Sequence, residues 1–221
     1  MSERKKVWDI PVRVFHWSLG LLIVASWWTG ENGYYEWHEK SGLAIISLIT
    51  FRLLWGIVGS ETARFGHFVK APGQALKDLR DFWEMRTKDH VGHDALGGYA
   101  VLVLLGAVLS QALLGLFAHD DLDIFYGPWA DLVSEETSAQ LASWHVQTFD
   151  ILVILIVLHV TAVAAYIFLQ GKDLLIPMIT GMKDTEQPAP AMARPGKALA
   201  VAALGVVIGW GGVGAVEALF G

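Results

Sequence analysis

Four histidines in apolar surroundings, His16, His38, His145 and His159, are the residues of this sequence best equipped to do chemistry. A neutral imidazole offers one nitrogen lone pair to a metal and one N–H to an acceptor, and it can also relay a proton. His145 and His159 stand fourteen residues apart in a run that stays apolar to about Gln170. On a helix that is close to four turns, so both leave from nearly the same face, ~21 Å apart at ~1.5 Å per residue. A bilayer's hydrocarbon is ~30 Å thick. If the segment spans it, one histidine lies near one surface and the other inside the opposite half. Ionisable groups at such depths are costly and mark function by default.

The elements that must position them are membrane spans. The chain is 54% apolar and only 17% charged, with a mean hydropathy of +0.45, whereas soluble domains carry about 25% charge. It has no cysteine, which excludes disulfides, iron–sulfur clusters, thiolate zinc and thioether-attached haem. Five spans are expected. The first runs from about Pro11 to Gly30, started by Asp9 as cap and Pro11 in the first turn. The second runs from Trp37-His38 to Gly59-Ser60, the third from His93 to about Ala118, the fourth is the stretch from Trp144 to about Gln170, and the fifth runs from Lys197 to Phe220. No cleavable signal is expected, because the apolar block after the basic Met1–Lys6 is long and no A-x-A site closes it. Leu76, Leu79, Phe82 and Trp83 are spaced for a short amphipathic helix in the interface. Gln187-Pro188-Ala189-Pro190 and Arg194-Pro195-Gly196 read as a linker.

Lys and Arg orient the spans. Fourteen of the sixteen basic residues fall in the N-terminal tail, the loop between spans two and three, and the segment after span four, all on one side of a five-span chain. The positive-inside rule places the N-terminus in the cytoplasm and the C-terminus outside.

Depth then pairs the histidines. His38 and His145 lie at the outer level, and His16 and His159 in the inner half. Facing imidazole pairs with no cysteine and no carboxylate cluster suit six-coordinate iron in a porphyrin, whereas zinc would want three or four ligands close together. Gly20 and Gly42, each four residues after a histidine, would leave room for a flat macrocycle, and equally serve ordinary helix packing. Arg52, fourteen residues beyond His38, faces the same way at the inner level. It would either hold an anionic cofactor edge such as a propionate or snorkel to the inner interface. His93 competes with His16 as inner ligand, or serves beside the cofactor or a quinone. His67, His90 and His119 read as interface or solvent residues.

Several stretches together resemble the bacterial cytochrome b561 family, which includes the cytochrome b subunits of nickel–iron hydrogenases. These are Val7-Trp8-Asp9 through Phe15-His16-Trp17, His38-Glu39-Lys40-Ser41-Gly42, Arg52-Leu53-Leu54-Trp55-Gly56, Gly92-His93-Asp94 and the His145/His159 spacing. The likeness covers about residues 7 to 183. It implies an all-α membrane protein, a four-helix transmembrane bundle holding two non-covalent b-type haems, with His16, His38, His145 and His159 as axial ligands. A fifth C-terminal transmembrane helix is added outside that core. The expected division is therefore a dihaem domain over 1–183, a cytoplasmic linker over 184–197 and a C-terminal span over 198–221. The resemblance also implies electron exchange between the quinone pool and a redox partner, such as a periplasmic c-type cytochrome, in the bacterial inner membrane. No nucleic-acid partner is expected.

Other readings remain. The chain could be the membrane-anchor subunit of a larger dehydrogenase or hydrogenase, a haem or metal carrier, or a proton path. The outer segment from His119 to Trp144 holds Asp120, Asp121, Asp123, Asp131, Glu135 and Glu136 and no Lys or Arg. It is either a solvated loop or a docking surface for a basic partner. Gly209-Trp210-Gly211-Gly212-Val213-Gly214 matches a dinucleotide fingerprint as a string, but it sits in a span with no preceding strand. Gly205 and Gly209 read better as a close helix–helix contact.

Overall fold

The computed structural model describes residues 2–119 and 125–220, and most of them are helical. In chain order the elements are β1 (Glu3–Lys6), α1 (Ile10–Glu31), α2 (Tyr35–Val58), α3 (Phe65–Phe68), α4 (Pro72–Trp83), α5 (Ala95–Leu116), α6 (Glu135–Phe168), α7 (Leu175–Thr180), β2 (Met182–Thr185) and α8 (Pro195–Phe220). Among the described residues five helices, α1, α2, α5, α6 and α8, are long and apolar enough to cross a membrane. These match the five expected spans.

Local chemistry explains where the helices start. Asp9 caps α1: its Oδ1 accepts the Val12 N–H at 2.8 Å, and Pro11 sits inside the first turn, where its missing N–H costs nothing. Asp94 does the same for α5, accepting the Gly97 N–H at 2.7 Å, so this span begins just past His93 rather than at it. α6 starts nine residues before the expected Trp144. There Ser134 Oγ accepts the Thr137 N–H at 3.3 Å, and Glu135 and Glu136 occupy the first turn, where carboxylates oppose the positive end of the helix dipole. Two of the acids read as loop charge are thus the opening turn of a 34-residue helix. Asp120, Asp121 and Asp123 lie outside the described residues. α4 is the expected amphipathic helix: Leu76 is 68% and Trp83 74% exposed, an apolar face that water would not tolerate but an interface would.

The chain forms two compact units. The first comprises residues 1–15, 52–104 and 155–199. Here the basic N-terminal stretch, expected as a tail, is a strand. β1 pairs antiparallel with β2, with Glu3 opposite Thr185 and Lys6 opposite Met182. Gly181, at φ +81°, ends α7 and turns the chain into β2. A Cβ there would meet the Trp8 carbonyl at 2.8 Å, so glycine is required on both counts. The Gly181 carbonyl accepts the N–H groups of Val7 (2.8 Å) and Trp8 (3.2 Å). The core of this unit is built on Val7, Trp55, Ala63 and Phe68, all nearly inaccessible, and Thr62 Oγ1 donates to the Val7 carbonyl at 2.7 Å.

The second unit comprises residues 16–51, 105–154 and 200–221. Its buried cluster joins Leu43 and Ile46 of α2, Leu116 of α5 and Val213 of α8, with Phe117 and Trp129 packed against them. Glycines of α8 meet α2 closely: a Cβ on Gly205 would lie 2.7 Å from the Ser47 carbonyl oxygen, and one on Gly209 2.2 Å from Ser47 Oγ. The small-residue contact expected from the sequence is present.

Candidate functional site

His38 and His145 come together in the second unit. Their ring centres are 5.9 Å apart, with planes at 87°. Each ring is held from behind by the backbone of another helix. His38 Nδ1 lies 2.8 Å from the Ser26 carbonyl oxygen of α1, with Ser26 Oγ at 3.3 Å. His145 Nδ1 lies 2.9 Å from the Gln111 carbonyl oxygen of α5. A carbonyl can only accept, so in both rings Nδ1 is the donor, and in the neutral imidazole Nε2 keeps the lone pair. This is the second-layer arrangement that orients histidine ligands toward a metal.

Both rings line a cavity of about 500 Å³, whose walls are mostly apolar side chains and include Gly42, Gln111, Phe125 and Asp150. That is the size range of a cofactor site, ~300–1,000 Å³. Gly42 has open space where a Cβ would stand, as does Gly20. Two imidazoles sharing one metal would place their nitrogens ~4 Å apart, at ~2 Å per bond, with ring centres somewhat further. The observed separation fits that demand. Among the described residues no group of three or more His, Asp or Glu gathers to hold a metal ion, so a zinc-type cage is not what these side chains make. The donor set and the cavity fit an axially ligated porphyrin iron.

Gln111 had escaped the sequence reading. It is the one carboxamide in α5, and all its side-chain polarity is spent near His145. Its Nε2 donates to the His145 carbonyl at 2.9 Å and lies 3.4 Å from His145 Nε2. Its Oε1 accepts the Thr148 hydroxyl. A lone amide in an apolar span was the available signal, because an unsatisfied one is costly there. Ser26 gave no comparable signal, since its carbonyl rather than its side-chain identity makes the shorter contact.

His16 belongs to the second unit, with its ring edge-on to Trp17 at 5.1 Å. His159 belongs to the first unit. His93, also in the first unit, packs between aromatic rings, Trp8 at 4.8 Å and Phe68 at 4.9 Å. Arg52 does not snorkel. It is 3% exposed, its guanidinium donates to the Ala63 carbonyl at 3.1 Å and lies over the Phe65 ring at 4.9 Å, and Asp9 provides an opposing charge.

Comparison with known proteins decides the family. Residues 7–181 match the family described as prokaryotic cytochrome b561. The chain belongs to the prokaryotic cytochrome b561 family. It is therefore a multi-pass membrane b-type cytochrome of electron transfer, and the family implies b-type haem. Over 219 residues it is 25% identical to a protein of Azotobacter chroococcum mcd 1 described as a probable Ni/Fe-hydrogenase B-type cytochrome subunit, covering 83% of this chain and 90% of that one. No solved structure matches this cytochrome. The matched region ends before α8, so the fifth span is an addition to what the family match covers.

Proposed function

We propose that this b561 cytochrome holds two haems b by paired histidines, His38 with His145 and His16 with His159, and carries electrons between the quinone pool and a redox partner. The observation that carries the reading is the His38/His145 pair, with both Nδ1 atoms on carbonyls and both rings at a cofactor-sized cavity. Bound haem supplies one-electron chemistry at iron. The chain's own residues supply the rest. His38 with His145, and His16 with His159, would hold the haem irons, and iron held by two imidazoles would favour electron transfer over oxygen binding. The apolar walls exclude water. Arg52 would offer positive charge to a propionate, and His93, between Trp8 and Phe68, would serve beside the cofactor or a quinone. In this reading residues 1–183 form a dihaem four-helix bundle, 184–197 a cytoplasmic linker and 198–221 an accessory span. The protein sits in the bacterial inner membrane with its N-terminus inside, as the distribution of basic residues supports.

The experiment is the reduced-minus-oxidised spectrum and haem-to-protein ratio of the purified chain, alongside His145→Ala and His159→Ala. Two b haems in the parent, with each variant losing or altering a different one, are expected. A colourless parent from haem-replete cells overturns the reading and revives a carrier or proton-path role. The hydrogenase-subunit relative favours a second reading of the partner, in which this chain anchors a larger dehydrogenase rather than meeting a diffusing periplasmic c-type cytochrome. Recovery of a stoichiometric catalytic subunit with the tagged chain from native membranes would select it.

A further inference from the structure

The two imidazoles of the His38/His145 pair are supported in the same way by two different helices. The acceptor of His38 is the carbonyl of Ser26, and four residues on in α1 stands Gly30. The acceptor of His145 is the carbonyl of Gln111, and four residues on in α5 stands Gly115. A Cβ on Gly30 would lie 2.8 Å from His38 Nδ1, and one on Gly115 would lie 2.9 Å from His145 Cε1 and 3.2 Å from its Nδ1.

Helix geometry gives this spacing a meaning. Each Cα–Cβ bond tilts toward the helix N-terminus, so a side chain covers the turn before its own Cα. A residue at i+4 therefore shields the carbonyl of residue i. That carbonyl already accepts the N–H of residue i+4 within the helix, but it has a second lone pair. Glycine at i+4 leaves that lone pair open from the side and leaves room for a ring to reach it.

We infer that Gly30 and Gly115 are positioning residues for the ligand pair, each uncovering a helix carbonyl that fixes the tautomer and direction of a histidine on the next helix. The inference rests on the haem reading above and adds to it a role for the two spans that contribute no ligand to this pair. Their part is an acceptor and a gap, four residues apart. Alanine at either position pushes the imidazole off its carbonyl, so the ring turns and its Nδ1–H finds a poorer acceptor. An imidazole with a weaker acceptor is a less basic ligand, and it stabilises the ferric state less.

The test uses the full-length chain from haem-replete cells. Gly30→Ala and Gly115→Ala are compared with Gly106→Ala, a glycine of α5 with nothing within 4 Å of its would-be Cβ. In each of the first two, the low-spin electron paramagnetic resonance signal of one and the same haem is expected to shift. The midpoint potential of that haem is expected to rise by up to about tenfold in its equilibrium constant, ~59 mV for one electron. The other haem, and both haems of Gly106→Ala, stay in place. Folded Gly30→Ala and Gly115→Ala proteins indistinguishable from Gly106→Ala overturn the inference.

Should those variants fail to fold, His145→Gly is reconstituted with free imidazole and with 1-methylimidazole, which has no N–H to give the Gln111 carbonyl. Several-fold weaker binding of the methylated ligand is expected, and equal binding overturns the inference. Nitrogen-15 spectra of labelled histidines in the haem-free chain separate this idea from the haem reading. A colourless parent whose His38 and His145 are both protonated at Nδ1 sinks the cytochrome pairing and keeps the carbonyl contacts. Protonation at Nε2 sinks the contacts themselves.

Discussion

The indole N–H of Trp55 donates to Oδ2 of Asp9 at 2.9 Å, across 46 positions of sequence. The other oxygen of the same buried carboxylate caps α1 through the Val12 N–H. One side chain therefore sets the start of the first span and ties α2 to it, beside the buried Arg52. Asp9→Ala removes a helix cap, worth ~1 kcal/mol, and takes away an acceptor of a buried donor, worth ~1–3 kcal/mol. Thermal unfolding in a fixed detergent is expected to show a loss of about 2–4 kcal/mol, with Asp9→Asn between the variant and the parent. An unchanged melting temperature for Asp9→Ala would refute the double role.

α8 is held to α2 by the absence of side chains. Gly209→Leu places atoms where Ser47 already stands, and overpacking of this kind costs ~1–3 kcal/mol. The expected result is faster proteolysis of the segment between β2 and α8, with the haem spectrum unchanged. Equal cleavage rates for parent and variant would mean that α8 is anchored elsewhere.

The strand pair of the first unit responds to acid through Asp89. Burial raises its carboxyl, but hydrogen bonds from Lys183 and Thr185, together with the charges of Lys183 and Lys172, outweigh that and hold it below the usual carboxylate range. Its folded value is thus lower than its unfolded one. The stabilisation is present above the unfolded value and disappears as pH falls through the folded value, below about pH 4. The group is largely solvated, so the effect stays under ~1 kcal/mol. Amide exchange in β1 and β2 should accelerate in that acid range in the parent and lose its pH dependence there in Asp89→Asn. Parallel profiles for the two proteins would refute the assignment.

α4 presents Leu76, Leu79 and Trp83 outward. Because the chain has no cysteine, Trp83→Cys gives a single attachment point for an environment-sensitive dye. In lipid nanodiscs its emission is expected to be blue-shifted and quenched by shallow, interfacial quenchers, while a dye at Lys77→Cys reports water. Identical spectra at the two positions would remove α4 from the interface.

Long apolar runs make the five spans legible, and the Asp-Pro start of α1 and the amphipathic α4 follow from single residues. The His38/His145 meeting was also within reach, because depth and spacing alone put both at the same level. α6 starts before its apolar run because its first turns are polar, and Ser134-Glu135-Glu136 opens the helix outside the apolar block. β1 and β2 are invisible for a different reason: the four charged residues of β1 form a strand only because Met182–Thr185, far along the chain, supplies the ladder. The carbonyl acceptors behind the histidines had no side-chain identity to read. Only the glycines that expose them leave a trace in sequence, and it becomes interpretable once the ring positions are known.

Val7 and Gly181 are hydrogen-bonded to one another, and they stand at the two limits of the region shared with the family, residues 7–181. The family-matched region is thus a closed loop of chain whose entry and exit coincide. A module with adjoining ends accepts new sequence at its seam without disturbing its interior. The fifth span is joined downstream of the seam and then packs on α2 through Gly205, Gly209 and Val213, so the seam sets where new sequence is attached and the covered face of α2 sets which sequence suits it.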